Sequence, residues 1–169
     1  NYHIFYELLE GLSDEELNTY HLTNYTVEDF IMTNQSGTYD RRDGVSDYDT
    51  FESLVVAMDT MGFSKDEQTD IFSLVCALLH ASNLTFKSIT ADESEIDMEN
   101  EHMNAFLNLM GLTGEDLNRA LCYFSIVAGR EKHQRSNSKE KAEKGLLALI
   151  KTTYGALFTH VVKRVNDCI

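Results

Sequence analysis

Residues 61–86, MGFSKDEQTDIFSLVCALLHASNLTF, constrain the fold more than any other stretch of this chain. Ser64 followed three residues later by Glu67 is a capping-box pattern, in which hydroxyl and carboxylate take up backbone N–H groups that a helix start leaves unpaired. Behind it Ile71, Leu74, Val75, Leu78 and Ser82 recur at helical spacing, and Phe72 and Leu79 widen the apolar stripe. Burying six such apolar side chains is worth on the order of 10 kcal/mol before chain entropy is counted. A helix of this kind is stable only against other helices, so the remaining residues must supply them.

They do so by the same signals. Tyr2, Ile4, Phe5, Tyr6, Leu8 and Leu9 crowd a first helix that Gly11 is expected to close. Ser13 with Glu16 starts a second, short helix through Leu17 and Tyr20. Residues 21–46 carry turn signals at Asn34-Gln35-Ser36-Gly37 and Asp43-Gly44, and read as a long loop packed by Tyr25, Phe30 and Tyr39. Asp47 is expected to cap a helix with the apolar face Phe51, Leu54, Val55 and Met58, which ends at Gly62 and turns tightly into the Ser64 helix. Leu84-Thr85-Phe86 suits a short extended piece, and the acidic residues 87–101 an exposed loop. Met103, Phe106, Leu107 and Met110 stripe a helix closed by Gly111, and Thr113 with Asp116 opens another. Residues 130–141 read as a charged loop. From about Ala142, a helix of about 25 residues runs through Leu146, Ile150, Tyr154, Phe158, Val162 and Val165. About seven helices and scarcely a strand predict a mainly α fold in a single domain, with both ends read as cut from something longer.

Composition narrows the chemistry. A formal charge of −14 argues against a surface that binds nucleic acid or anionic membrane, and the longest unbroken apolar run, 74–79, is far shorter than a membrane span. Cys76, Cys122 and Cys168 form no C-x-x-C pair and read as buried thiols of a reducing, cytoplasmic compartment. The six histidines show no H-E-x-x-H or i,i+4 pairing for zinc, and His80 reads as a hydrogen-bonded structural histidine. Asp40-Arg41-Arg42-Asp43-Gly44 has too few oxygens for a calcium loop, and no G-x-S-x-G elbow occurs. The exception to the acidic pattern is local. From 130 to 144, six basic side chains face three acidic ones, leaving +3 there and −17 on the rest. That basic island is either a docking patch for an acidic partner or a solvated face opening the long helix.

The order NYHIFYELLEGLS, NQSG, DGVSDYDTFESLVVAMDTMGFS, IFSLVCALLHASNLTF and TYGALFTHVVKRVN closely resembles the myosin motor domain, colinearly over residues 1–169. The part it resembles is the upper 50-kilodalton subdomain, between the first nucleotide switch and the second, within a parent of the P-loop NTPase superfamily. Two places depart from the family pattern. His80-Ala81-Ser82-Asn83-Leu84 stands where H-L-G-N-I is usual, and residues 145–151, with Leu147 at the acidic position, stand where R-D-A-L-A-K is usual. A divergent myosin is the implied type.

The resemblance implies an ATPase of the actin cytoskeleton that uses ATP and Mg2+. It also implies that this chain holds neither, because its nucleotide motifs fall outside: no Gly-Lys dipeptide of a G-x-x-x-x-G-K-[ST] loop occurs in the sequence. No catalytic, cofactor or metal residue is therefore expected here, and the isolated chain is expected not to bind nucleotide. The implied partners are the actin filament and the remainder of the heavy chain, with no nucleic acid or membrane contact. The implied actin-binding residues are Arg130, Glu131, Lys132, His133, Gln134 and Arg135, on the family's cardiomyopathy loop. Glu131, sixteen residues before Leu147, falls where myosins carry an acidic or phosphorylatable residue, so a fixed carboxylate supplies the charge that phosphorylation would add. Loop 87–101 matches a second actin-side loop, but its acidity speaks for a solvated loop. The competing reading is a stand-alone helical interaction module with no motor activity.

Overall fold

The computed structural model describes residues 2–37, 39, 44–128 and 131–168. Among them the order is α1 (Ile4–Gly11), α2 (Asp14–Thr19), α3 (Ile31–Asn34), α4 (Asp47–Thr60), α5 (Lys65–Ser82), β1 (Phe86–Ser88), β2 (Ser94–Ile96), α6 (Met103–Met110), α7 (Gly114–Cys122), β3 (Tyr123–Ala128), β4 (Glu131–Ser136) and α8 (Lys139–Asn166). The mainly α expectation holds, with two small antiparallel sheets added, β1–β2 and β3–β4.

Helix α5 is the centre. Its capping box is complete: Ser64 Oγ accepts the Glu67 N–H at 3.1 Å, and the Ser64 N–H donates to Glu67 Oε2 at 2.7 Å. Residues 75–81 are all buried, so the helix loses any solvent face over its last two turns. Its main neighbours are α6 and α8, while α4 packs chiefly on α1 and reaches α5 through the Phe51–Phe72 ring contact at 5.3 Å. The α4–α5 corner turns at Gly62, whose φ of 76° is a left-handed conformation that glycine adopts without strain.

Several local expectations are corrected. Gly11 ends α1 as expected, but for another reason than turn geometry: it is the last helical residue, and a Cβ there would lie 2.3 Å from the Phe51 ring. Packing against α4, rather than turn geometry, calls for glycine. The cap of α4 is Ser46, whose Oγ accepts the Asp49 N–H at 3.2 Å, and Asp47 is the first helical residue. Cys76 and Cys122 are buried, but Cys168 is exposed, with its thiol facing Arg164 and the Met61 carbonyl. Segment 21–46 holds α3 and the fully buried Leu22, Phe30 and Thr33. Segment 87–101 contains β2, with Ser94 and Ile96 buried. The charged stretch expected as a loop at 130–141 contains strand β4 and the first turn of α8.

Helix α8 spans 28 residues, about 42 Å at 1.5 Å per residue. By length and composition it could cross a membrane, although no long unbroken apolar run marks it. Its buried Ala142, Leu146 and Ile150 seat its first half on the core, while Leu147, Phe158 and Val162 remain exposed.

Candidate functional site

The β3–β4 hairpin stands between α7 and α8. Tyr123-Phe124-Ser125-Ile126-Val127-Ala128 is rich in aromatic and β-branched residues, which suit a pleated ladder better than a helix. It pairs in antiparallel register with β4, Phe124 opposite Arg135, Ser125 opposite Gln134 and Ile126 opposite His133. Because opposite residues share a face, Phe124 and Ile126 lie with Arg135 and His133 on one side, and Ser125 with Gln134 on the other.

Asn137 fixes the base of this hairpin. Its N–H donates to the Cys122 carbonyl at 2.7 Å, its side-chain amide to the Leu121 carbonyl at 2.9 Å, and its own carbonyl accepts Ser94 Oγ at 2.9 Å. These bonds tie β4 to the end of α7 and to the β1–β2 sheet. Ile96 N–H donating to Asn118 Oδ1 at 2.9 Å adds a further link between that sheet and α7.

Above the base the surface is open. Tyr123, Phe124 and Ile126 are 36%, 41% and 42% exposed, an unusual concentration of large apolar side chains beside cations. Lys141 Nζ sits 6.0 Å over the Phe124 ring, at the reach of a cation–π contact. A shallow cavity of about 340 Å3 is lined by Arg119, Tyr123, Phe124, Ser125 and Gln134. The described residues that line it present a cation, an amide, a hydroxyl and two aromatic faces, groups suited to recognition.

Of the residues expected to carry this surface, His133, Gln134 and Arg135 lie exposed on β4. Glu131 and Lys132 enter only through their backbone register with Ala128 and Val127, and Arg130 lies outside the described residues. The aromatic half, on β3, was missed. Its signal was available in the run of aromatic and β-branched residues just ahead of the charged stretch, which a search for helical stripes passes over.

An apolar cavity of about 350 Å3 opens between α1, α4, α5 and α8, walled by Met58, Phe72, Tyr154, Leu157 and Val161, with Glu7 at its edge. His3, Glu7 and Asp47 bring ligand-type atoms within 4.8 Å of one another, a grouping from two parts of the chain that no sequence motif marks.

The sequence profile described as myosin head (motor domain) matches residues 1–169. Curated relatives cover the whole chain or nearly so. Unconventional myosin ID of Drosophila melanogaster is 35% identical over 170 residues, covering 100% of this chain and 16% of its own length. Myosin-1 of Saccharomyces cerevisiae is 32% identical over 166 residues, 98% of this chain and 8% of its own. Unconventional myosin-XV of Homo sapiens is 32% identical over 171 residues, 100% of this chain and 5% of its own. The chain thus spans less than a fifth of the length of each of these relatives.

Proposed function

Since the chain belongs to the myosin motor-domain family, we propose that it is the upper 50-kilodalton part of an actin-activated ATPase and supplies a helical scaffold with a filament-facing hairpin. ATP and Mg2+ are held, on this reading, by a P-loop and two switches in other parts of the motor. The protein acts in the cytoplasm on the actin cytoskeleton, with the rest of its heavy chain as its permanent partner.

One observation carries the reading: a rigidly based hairpin that presents exposed aromatics beside a cationic strand on an otherwise acidic molecule. An acidic filament is attracted by the +3 charge of residues 130–144 and repelled by the −17 of the rest, so the charge pattern orients the approach. Phe124 and Ile126 then supply the desolvated contact that surface charges alone do not give.

The test is co-sedimentation of the intact heavy chain with filamentous actin at two salt concentrations. Arg135→Glu should weaken binding several-fold at low salt and less at high salt, where charge is screened. Phe124→Ala should weaken it at both. In the same preparations, Glu131→Ala should lower actin-activated turnover while leaving turnover without actin in place. Unaltered binding by both the Arg135 and Phe124 variants would remove the hairpin from the filament interface.

A further inference from the structure

A buried polar chain lies away from the hairpin and has no part in that reading. His80, on the last turn of α5, and His102, just before α6, are 1% and 3% exposed. Their Nδ1 atoms are 3.0 Å apart. His80 Nε2 lies 3.1 Å from the Tyr20 carbonyl oxygen, and His102 Nε2 lies 2.9 Å from Asn83 Nδ2. Asn83 is held by two backbone groups: its Oδ1 accepts the Ile31 N–H at 2.8 Å and its Nδ2 donates to the Asp29 carbonyl at 2.6 Å.

These neighbours fix every hydrogen. A carbonyl only accepts, so His80 Nε2 carries a hydrogen. Asn83 faces His102 with its N–H2, so His102 Nε2 is bare. Between the rings one hydrogen must lie on one of the two Nδ1 atoms. Placing it on His80 would leave His102 an anionic imidazolate, so it belongs to His102. Both rings are therefore neutral and of opposite tautomers, and each donor meets an acceptor from the Tyr20 carbonyl to the Asp29 carbonyl.

An added proton has no place in this chain. On His102 Nε2 it meets the Asn83 N–H2. On His80 Nδ1 it drives the His102 hydrogen to Nε2, against the same amide. Asn83 cannot turn over, because its Nδ2 would then oppose the Ile31 N–H and its Oδ1 the Asp29 carbonyl. We propose that the His80–His102–Asn83 chain is a proton-sensitive latch, which holds residues 20–34 to α5 and α6 only while both imidazoles are neutral.

The charges around it act in opposition. Glu101 Oε1, 3.8 Å from His102 Nε2, and Asp29 both favour an imidazolium on His102, while His21 and the second imidazole oppose charge on His80. The rings of Tyr25 and Phe30 pack on both imidazoles, and the Tyr25 hydroxyl donates to Glu101. Burial outweighs the carboxylates and holds both histidines below their ordinary range, His80 at about 4.

Hydrogen exchange of the intact heavy chain, read by mass spectrometry and corrected for the intrinsic pH dependence of exchange, tests the latch. Each proton taken up on opening should raise the open population of residues 22–34 about tenfold per pH unit below 6.5. Peptides from 114–122 should show no such step. Replacing both rings, His80→Gln with His102→Gln, keeps one donor and one acceptor at each position but removes the protonation, and should abolish the step. Wild-type protection of 22–34 that is flat between pH 7 and 5, or a step that persists in the double variant, overturns the proposal. If the double variant does not fold, the wild-type profile still decides.

Discussion

Gly11 offers a direct test of whether packing or local propensity governs the α1–α4 contact. Alanine is favoured over glycine by about 1 kcal/mol in a helix interior and by less at the last helical residue, so propensity alone predicts that Gly11→Ala is stabilising by at most that amount. The structure predicts the reverse. An alanine Cβ would sit 2.3 Å from Phe51 Cδ1, 2.4 Å from Cγ and 2.5 Å from Cβ, whereas ordinary contact begins at 3.4 Å. Phe51 would have to retreat by about 1 Å. Its Cβ is among the obstructing atoms, so rotating the ring does not suffice and α4 itself must shift. The ring is buried and backed by Phe72 at 5.3 Å, so its retreat must displace a second ring. Overpacking of this kind costs about 1–3 kcal/mol, more than the propensity gain. Urea unfolding of the chain, followed by circular dichroism, should therefore place Gly11→Ala below wild type. Gly114→Ala is the matching control, because there the obstructing atoms are the end of the flexible, half-exposed Met98 side chain. That variant should match or exceed wild type. A stabilised Gly11→Ala would refute the packing account.

Two further outcomes are expected from the same unfolding measurement. Ser64→Ala removes the acceptor for the Glu67 N–H and should cost about 1 kcal/mol, with the reciprocal Glu67 bond to the residue 64 N–H retained. Lowering the pH should destabilise the chain first through His80, whose folded pKa of about 4 lies below its ordinary 6.5. The unfolded chain takes up the proton first, so this stability is complete above pH 6.5, declines as the pH falls through 6.5 toward 4, and amounts to about 3 kcal/mol when fully lost. Glu67, which Arg164 holds at about 2 against an ordinary 4.5, loses its contribution only below pH 4.5. A decline between pH 6.5 and 4.5 therefore reports on histidine, and a flat profile there would show that His80 is not buried neutral.

What could be read from the sequence follows the range of the forces involved. Capping boxes at Ser13 and Ser64, the Thr113 cap, and the left-handed glycines 62 and 111 act within four residues, and each stands where its pattern put it. Asp47 was misread because a better cap stands one residue earlier, and Gly11, which does end α1, is glycine for a reason no local pattern shows, a contact with Phe51 some 40 residues away. The partners of α5 are likewise non-local: α6 follows an intervening small sheet, and the packed structure shows that it and α8, more than α4, cover the helix. At the candidate site the basic half was legible as charge. The strand that carries it was not, since E-K-H-Q-R-S has no alternation of its own and becomes a strand by pairing with the apolar β3.

The same non-local logic connects the hairpin to the rest of the chain. Helix α8 leaves the hairpin base at Lys139 and remains helical to Asn166, with no proline to kink it. Near its far end Arg164 makes three contacts with the α4–α5 corner. Its Nε donates to Glu67 Oε1 at 3.0 Å, its Nη2 donates to the Gly62 carbonyl at 2.7 Å, and its guanidinium lies 5.0 Å from the Phe63 ring centre. Glu67 is also the second member of the α5 capping box, so one carboxylate serves the helix start through Oε2 and the long helix through Oε1. A helix of about 42 Å thus spans from the hairpin base to the N-terminus of α5. The residue that made α5 recognisable in the sequence is also the one that receives the far end of the helix leaving the hairpin, whose own base Asn137 holds.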